Sequence, residues 1–280
     1  MRVDAHVHFL VYNPREHVWV TDELGALKGT FLPGDLEPLL SGAGFDGCVA
    51  VEARQLPYEN QWLLDLARSH PSIQGIVGWV DLCAADVTVR LEGLQAHPQI
   101  KGFRHVVIDE PDEGFLLRDD FQRGIAALGP LGFTYGLLIL PRHVPAAVQL
   151  VRNFPRQRFV VDHLGLPDIR AGKLAPWEAG LKALAAWPNV FCKVSGLAYR
   201  ADWRRWRPED FTPYLDTALE LFGPGRLMVG SNWPVCTVAG DYDAVLRIVL
   251  DRVRALSTVE QIQILGGTCA SFYGLQPHAS

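Results

Sequence analysis

Short apolar runs alternate with amphipathic segments along the chain. Eight of the runs are rich in Val, Ile, Leu and Phe and are short, which is typical of strands buried on both faces. The segments between them repeat apolar residues at the spacing of one helix face. The predicted strands cover residues 3–9, 47–53, 73–80, 100–106, 134–140, 159–165, 190–196 and 226–232.

Helices are predicted between these strands and after the last one. They cover residues 34–41, 58–69, 87–96, 121–128, 144–153, 177–187, 211–222, 241–255 and 258–265. Strands that alternate with helices indicate a parallel sheet. A closed (β/α)8 TIM barrel is the expected arrangement, since about 250 residues is typical of that fold, and an open doubly wound sheet is the alternative. No linker or low-complexity tract divides the chain, so one domain over residues 1–280 is expected.

The segment between the first strand and the first helix, residues 11–33, has no regular pattern. It carries Tyr12, Trp19 and Phe31 among Pro and Gly residues. A loop of this length in a compact domain is usually functional. Its aromatic rings are expected either to cover a pocket or simply to pack on the barrel.

Composition and charge narrow the class of protein. With 49% hydrophobic and 20% charged residues, the chain has enough apolar material for a large core and too little charge for disorder. A net charge of -5, from 31 acidic and 26 basic residues, gives no general attraction to phosphates. The basic cluster at 204–207 is too short for a nucleic-acid surface. It is expected to be a solvated edge or, alternatively, to reach an anionic substrate. No nucleic-acid partner is expected.

Cysteine usage and apolar run lengths indicate the compartment. The cysteines occur singly, at positions 48, 83, 192, 236 and 269, without a Cys-x-x-Cys pair. Most lie in apolar contexts where a free thiol behaves as a small core residue, which favours a reducing cytoplasm. No signal peptide is expected, and no run of about 18 apolar residues could cross a bilayer. The pattern predicts no membrane partner and indicates no oligomeric state.

His6 and His8 stand two residues apart on the first predicted strand, so their side chains share one face. A His-x-His pair alone is equally typical of a buried strand with two hydrogen-bonded imidazoles. His105 follows Arg104 on its strand, should face the opposite way, and is expected to be structural. In a barrel the carboxyl ends of all strands meet at one rim. The polar residues expected there are His6, His8, Glu52, Asp81, Arg104, His105, His163, Lys193, Ser195 and Asn232.

Five motifs at strand ends resemble those of the amidohydrolase superfamily, and more narrowly those of its branch of sugar-lactone hydrolases. They are Asp4-Ala5-His6-Val7-His8, Gly102-Phe103-Arg104-His105, Asp162-His163-Leu164-Gly165, Cys192-Lys193-Val194-Ser195-Gly196-Leu197 and Gly230-Ser231-Asn232-Trp233-Pro234. The resemblance continues through Gly266-Gly267-Thr268 and Phe272-Tyr273. It implies a barrel enzyme that hydrolyses a small-molecule sugar lactone, such as L-fuconolactone, to the aldonic acid.

Asn232 departs from the pattern that the resemblance implies. His6 and His8 match the first-strand motif and His163 matches the sixth-strand histidine, whereas position 232 is normally an aspartate. Asparagine has nearly the shape of aspartate but cannot accept a proton from water. Two explanations stay open: a natural enzyme whose base has moved to His163 or another group, or a deliberate substitution that holds an uncleaved ligand. Hydrolysis is expected to be weakened by Asn232 if the mechanism needs a base at this position.

Lactone hydrolysis needs a proton acceptor for water, a hydrogen-bonding or positive group for the oxyanion, and a proton donor for the leaving oxygen. An aspartate restored at position 232 is expected to deprotonate the water. The planar guanidinium of Arg104 suits paired oxygen atoms. The residues expected to polarise the carbonyl or orient water are His6, His8, Arg104 and His163.

A metal is permitted but not strictly required. His6, His8 and His163, with a carboxylate at position 232, would make a zinc site, and zinc lowers the pKa of bound water to about 7. Asn232 is a poorer ligand than aspartate, and members of this branch are expected to work without a tightly bound metal.

The candidate substrate contacts are Arg104, Lys193, Glu52, Trp79 and Trp233. Each has a structural alternative. Arg104 could form a buried ion pair with Asp81 or Glu52, and Lys193 could be an inward-facing, satisfied amine. The rings of Trp79, Trp233 and Tyr199 could stack on a sugar or belong to the core.

Two other functions stay open. The same superfamily branch includes lactone isomerases and decarboxylases, which need a different proton route. The missing carboxylate also fits a non-catalytic protein that binds a sugar acid.

Overall fold

Eight parallel strands form a nearly closed barrel in the computed structural model, which describes residues 1–276. Each strand pairs with the next in chain order, which confirms the predicted (β/α)8 barrel and rules out the open doubly wound sheet. The strands are β1 Val3–Val7, β2 Gly47–Val51, β3 Ile73–Gly78, β4 Ile100–His105, β5 Thr134–Leu137, β6 Phe159–Val161, β7 Val190–Val194 and β8 Leu227–Val229.

The seam between the first and last strands closes beyond the end of β8. The backbone N–H of Asn232 donates to the carbonyl of His6 at 2.9 Å, and that of His8 donates to the carbonyl of Trp233 at 2.6 Å. The Asp4 carboxylate adds to this seam because its Oδ1 accepts from the Ser231 N–H at 2.9 Å. Residues of the first and last strand motifs are therefore held side by side.

Helices cover the outside of the barrel. They are α1 Pro33–Gly42, α2 Glu59–Ser69, α3 Val87–Gln95, α4 Asp119–Leu128, α5 Val144–Asn153, α6 Ala175–Ala185, α7 Thr212–Phe222, α8 Tyr242–Val253, α9 Thr258–Ile262 and α10 Thr268–Tyr273. The prediction of one helix over 258–265 is wrong. The chain passes through a π-helical turn, Gln263–Gly267, because Gly266 at φ 172° leaves helical geometry.

All eight predicted strands extend past the observed carboxyl ends, and in two of them the excess residues form turns with left-handed backbone angles. The predicted strands 159–165 and 226–232 end at Val161 and Val229. His163, Leu164 and Asn232 have φ angles of 55°, 52° and 61°, in the left-handed region that no strand adopts. The motif residues therefore lie on tight turns that follow the strands.

The end of the barrel opposite the carboxyl ends of the strands is apolar, and α10 covers it. Side chains from β1, β2, β3, β6 and β8 pack there with residues of the last helix: Val3, Ala5, Val49, Val51, Val77, Val160, Met228, Cys269, Phe272 and Tyr273. This packing leaves the polar residues at the opposite, carboxyl end of the strands, where barrel enzymes carry their sites.

Residues 12–29, here called the cap loop, lie over that end. The two-residue strands Leu10–Val11 and Thr30–Phe31 pair at its base. Trp19 Nε1 donates to the carbonyl of Ala53 at 2.7 Å, and Glu16 pairs with Arg54. Its apolar residues pack against segments that follow β7 and β8: Val20, Leu24 and Leu27 with Tyr199, Trp203, Val235 and Val238.

Other sequence expectations can be compared with the described residues. The five cysteines are free, and all but Cys83 are buried. Within residues 1–276 no helix is both long and apolar enough to span a bilayer. In the basic cluster, Arg204, Arg205 and Arg207 are exposed, as expected for a solvated edge.

Candidate active site

Nine polar side chains come together at the carboxyl end of the barrel, and none is more than 6% exposed. They lie on or directly after six strands, so each is placed by the barrel itself. They are His6, His8, Glu52, Arg104, Asp162, His163, Lys193, Ser195 and Asn232. A group of this size, buried and mostly ionisable, is typical of an active site.

His6 and His8 point at one another, with their Nε2 atoms 3.1 Å apart. Nδ1 of His8 faces the carbonyls of Val51 and Glu52 at 3.0 and 3.1 Å. Carbonyls only accept hydrogen bonds, so this Nδ1 carries the proton and Nε2 carries the lone pair. Burial, with Arg104 nearby, lowers the pKa of His8 to about 3, so the ring is neutral.

Arg104 forms a buried ion pair with Glu52, which was the structural alternative given for it in the sequence analysis. Its Nε donates to Oε1 of Glu52 at 2.7 Å, and its Nη2 to the Glu52 carbonyl at 3.0 Å. Its Nη1 donates to Oδ2 of Asp162 at 3.2 Å. Burial lowers the pKa of Arg104, but the two carboxylates outweigh it and raise that pKa. The guanidinium is therefore a fixed positive charge in the site.

Burial raises the pKa of Glu52 to about 7, and Arg104 opposes the rise. Because both its side chain and its carbonyl already bind Arg104, Glu52 lies in the ion pair; its predicted contact with a substrate stays a prediction.

Lys193 joins this charged group from β7. Its Nζ lies 3.1 Å from Oδ1 of Asp162 and 3.2 Å from Nδ1 of His6. Burial lowers the pKa of Lys193, and Asp162 opposes this. Burial would raise the pKa of Asp162, but Lys193, His6 and Arg104 together hold it well below its usual range. Asp162 is therefore ionised and shared between two cations.

Lys193 also decides the tautomer of His6. An ammonium donates, so His6 Nδ1 accepts and His6 Nε2 carries the hydrogen that points at the lone pair of His8. Arg104 Nη1, 3.3 Å from the same Nε2, donates to Asp162 instead. Burial, with Lys193 as the next cause, lowers the pKa of His6 well below its usual value. Both histidines of the pair are neutral. The lone pair of His6 accepts from Lys193, and that of His8 accepts from His6.

His163 stands on a turn of unusual backbone. Its Nδ1 lies 2.8 Å from Oγ of Ser195, and its ring centroid lies 4.4 Å from that of His6. A Cβ on Gly196, which has φ 65°, would meet His163 Nδ1 at 2.7 Å, so only glycine lets the ring lie there. Burial lowers the pKa of His163 to about 3.

Asn232 lies beside His6 because its backbone N–H donates to the His6 carbonyl, and it is 4% exposed. Its Oδ1 is buried and has no hydrogen-bond partner among residues 1–276. A buried amide oxygen left without a partner is destabilising by about 1–3 kcal/mol, so this atom is an available acceptor for a ligand or water.

The remaining sequence candidates lie outside this group. The Asp81 carboxylate accepts from the Cys83 N–H at 3.0 Å. His105 stacks on Phe115 with ring centroids 4.9 Å apart and pairs with Glu110 at 2.6 Å, which agrees with the structural role expected of it.

The aromatic candidates lie mostly in packed surroundings. Trp233 is 3% exposed and packs edge-on against Phe9 and Phe31, at 6.1 and 5.7 Å. Tyr199 stacks on Trp203 at 5.8 Å under the cap loop. Trp79 is half-buried, and its Nε1 has no partner among residues 1–276.

Asp162 is the site residue to which sequence reasoning assigned no role. In the sequence, Asp162 is the residue before His163 in one of the five motifs. The alternation of side chains along a strand would place the two on opposite faces. The left-handed turn at His163 breaks the alternation. The available signal was a buried carboxylate at the end of a strand whose partners, Arg104 and Lys193, were already candidates.

The side chains do not fit a divalent metal as they are arranged. The Nε2 atoms of His6 and His8 converge, but within residues 1–276 no group of three or more His, Cys, Asp or Glu side chains is placed to hold a metal ion. The positive charges of Arg104 and Lys193 lie within 3.3 Å of the His6 ring. The nearby carboxylates of Glu52 and Asp162 are engaged by these two cations, and Asn232 adds no negative charge that could bind a metal.

Comparison with known proteins places the chain in a family. The family model described as Amidohydrolase matches residues 3–275. An L-fucono-1,5-lactonase from Burkholderia multivorans is 37% identical, over 98% of this chain and 96% of that protein. One from Burkholderia ambifaria is 33% identical, over 97% and 95%.

Solved structures agree. An amidohydrolase from Burkholderia multivorans with bound zinc superposes with a TM-score of 0.94 at 37% identity, covering 99% of this chain and all of that one. A second crystal form of an amidohydrolase from that organism, with bound HEPES, has the same TM-score at 36% identity and the same coverage. With the family model spanning nearly the whole chain and the barrel superposing over its full length, this chain belongs to the amidohydrolase family.

Proposed function

We propose that this chain hydrolyses a sugar lactone of the aldonic-acid type, with L-fucono-1,5-lactone as the first substrate to test. The observation that carries the proposal is the pair of buried cations beside His6, Lys193 Nζ at 3.2 Å and Arg104 Nη1 at 3.3 Å. Positive groups in a buried site stabilise the negative charge that develops on a carbonyl oxygen under attack. The two relatives named L-fucono-1,5-lactonase support the choice of substrate.

In the proposed reaction the oxygen of water bonds to the acyl carbon and the carbonyl oxygen takes up negative charge. The bond to the ring oxygen then breaks and that oxygen is protonated, which yields the aldonic acid. Arg104 acts mainly through its charge, because three of its nitrogens already donate to Glu52 and Asp162. The free Oδ1 of Asn232 accepts a hydrogen bond from the attacking water.

No bound metal takes part in the proposed reaction. The zinc in the related crystal structure belongs to that protein. In this chain the positive charge on Arg104 and Lys193 supplies the electrostatic stabilisation that a metal would otherwise bring.

The proposal is tested with a panel of five- and six-membered sugar lactones, following acid release for the wild-type chain and for Asn232→Asp. A carboxylate at position 232 adds a proton acceptor, and a general base contributes roughly 10²–10⁴-fold. We expect wild-type turnover to be measurable and the variant to be faster by at least about the lower of these factors. Failure of both forms to open any lactone would contradict the proposal.

Asn232 also favours a second candidate, a protein that binds a sugar lactone without opening it. The buried amide oxygen would then accept a hydrogen bond from a ligand hydroxyl. Retention of an unchanged lactone by both forms, followed by NMR, would identify this function, and the same spectra would reveal migration of the ring in an isomerase.

A further inference from the structure

The nine side chains of the candidate active site are closed off from solvent. None of them is more than 6% exposed. A sugar lactone cannot reach side chains that water barely reaches, so for the proposed function a segment over the site has to move before the substrate binds. Loops that open and close over active sites are a common way to admit a substrate and then exclude water.

The cap loop, residues 12–29, is attached in a way that permits such a motion. Its base is the pair of two-residue strands Leu10–Val11 and Thr30–Phe31. Between these strands the only regular element is a short 3₁₀ helix, Asp22–Leu27. A long segment fixed at a narrow base can pivot as a unit, because only a few residues near the base have to change their backbone angles.

Polar contacts attach the cap loop to the barrel on the side of β2. Glu16 pairs with Arg54, and Trp19 Nε1 donates to the carbonyl of Ala53 at 2.7 Å. Ala53 and Arg54 directly follow Glu52, whose side chain belongs to the site. These two contacts, here called the latch, therefore join the cap loop to the rim of the site itself.

Arg54 is held on the barrel side by partners other than Glu16. Its Nε donates to Oε2 of Glu59 at 2.6 Å, and its guanidinium lies over the rings of Tyr58 and Trp62, 4.8 and 5.0 Å from their centroids. The side chain of Glu59 is 0% exposed, whereas that of Glu16 is 24% exposed. When Glu16 moves away into water, Arg54 keeps its buried partner, so opening of the latch leaves no buried charge unpaired.

Apolar packing holds the cap loop on its other side. Val20, Leu24 and Leu27 pack against the segments that follow β7 and β8. Apolar contacts are not directional, so they tolerate a small rotation that would break a hydrogen bond or an ion pair. The arrangement favours opening at the latch, with the apolar side as the pivot.

We propose that the cap loop is a gate over the active site, that the latch holds it closed, and that the substrate enters when the contacts of Glu16 with Arg54 and of Trp19 with Ala53 break. The identity of the substrate rests on the proposed function, but the motion does not depend on turnover. Reclosure returns the site to its buried state, in which charged groups act most strongly on a bound substrate.

The test uses diethyl pyrocarbonate, which labels histidine covalently and has the same molecular formula as L-fucono-1,5-lactone. Mass spectrometry of the labelled chain gives a rate for each histidine. When the gate opens and closes faster than the reagent reacts, the labelling rates of His6, His8 and His163 follow the fraction of open molecules. His143 reports on unfolding of the whole chain, because it is 0% exposed and lies after β5, outside the site.

Glu16→Gln removes the ion pair of the latch and keeps the size of the side chain. The matched control is Asp22→Asn, because Asp22 pairs with Lys28 at 2.5 Å within the cap loop and does not join it to the barrel. We expect Glu16→Gln to raise the labelling rates of the site histidines roughly two- to fivefold, the effect of losing one partly exposed ion pair. Adding Trp19→Phe, which removes the donor to Ala53, should bring the increase to about tenfold. Asp22→Asn should leave these rates unchanged.

Labelling of His143 should be the same in all forms. Wild-type labelling rates at the site histidines of the double variant would overturn the gate. An equal increase at His143 would overturn it as well, because the whole chain would then be unfolding more readily. Amide hydrogen exchange of peptides from residues 12–29 follows the same motion without the reagent and should accelerate in the double variant. Absence of lactone turnover would contradict the proposed function, while the labelling rates would still decide on the gate.

Discussion

Nζ of Lys193 lies 3.1 Å from Oδ1 of Asp162, and the two side chains are 1% and 0% exposed. The other oxygen of Asp162 accepts from Arg104 at 3.2 Å. One carboxylate thus holds two cations at the bottom of the site. The barrel therefore holds two positive charges next to His6, and each of them is paired with a carboxylate.

Lys193→Met should be strongly destabilising. Removing one partner of a buried ion pair leaves an uncompensated charge, and such changes cost about 3–5 kcal/mol. Urea unfolding should give this loss in the free energy of unfolding. The matched control is Arg252→Met, since Arg252 pairs with Asp216 on the surface with 34% and 49% exposure. Exposed pairs contribute about 0.2–1 kcal/mol. Equal losses in the two variants would contradict the assignment.

The fold was predictable because each barrel strand is buried on both faces and therefore reads as an apolar run. The ends of those runs were predicted less well. Apolar residues such as Leu164 continue the pattern after β6 has ended at Val161. Only the backbone angle of His163 shows that the chain has turned, and a hydrophobic pattern carries no information about φ.

Gly196→Ala should lower the lactonase rate more than it lowers stability. The new Cβ would meet His163 Nδ1 at 2.7 Å and push the ring away from Ser195. The matched control is Gly172→Ala, where φ is 64° and nothing lies within 4 Å of the added Cβ. Both variants pay roughly 1–2 kcal/mol for a left-handed alanine. We expect initial rates to fall at least tenfold only in Gly196→Ala, and a matching fall in Gly172→Ala would argue against displacement of His163.

The sequence was enough to predict which residues form the site, but not which hydrogen bonds and ion pairs they make. His6, Arg104 and Lys193 were identified from their places at strand ends. Their partners could not be identified, because Asp162 comes from a turn whose geometry depends on the strands around it. Whether Arg104 would pair with Asp81 or Glu52 also depended on which of them points inward. Only Glu52 does so, since its partner atoms lie within hydrogen-bond distance of the guanidinium.

Removal of divalent metals should leave the lactonase rate unchanged within a factor of about two, small beside the tenfold that 1.36 kcal/mol represents. The physical reason is that Arg104 and Lys193 engage the carboxylates of Glu52 and Asp162, so the histidine pair has no free carboxylate beside it to bind a metal ion. Initial rates before and after dialysis against EDTA, with metal content measured in both samples, provide the test. A tenfold loss that added zinc restores would show that the site accepts a metal despite these charges.

Tyr242→Phe should weaken the seam between β1 and the segment after β8. The Tyr242 hydroxyl donates to Oδ2 of Asp4 at 3.0 Å, while Oδ1 accepts from the Ser231 N–H. Burial raises the pKa of Asp4, and hydrogen bonds from Ser231 and Tyr242 oppose the rise, so each lost donor makes the buried carboxylate less favourable. A hydrogen bond to a charged group is worth about 1.5–3 kcal/mol.

The structure offers a matched control for this change. Tyr214 is 2% exposed, as buried as Tyr242 at 3%, but its hydroxyl has no partner among residues 1–276. Tyr214→Phe removes a buried polar atom without breaking a bond, and its free energy of unfolding should stay level or rise. Thermal or urea unfolding of the two variants therefore separates the hydrogen bond to Asp4 from the loss of a hydroxyl as such. Equal destabilisation of both would mean that the seam does not depend on Tyr242.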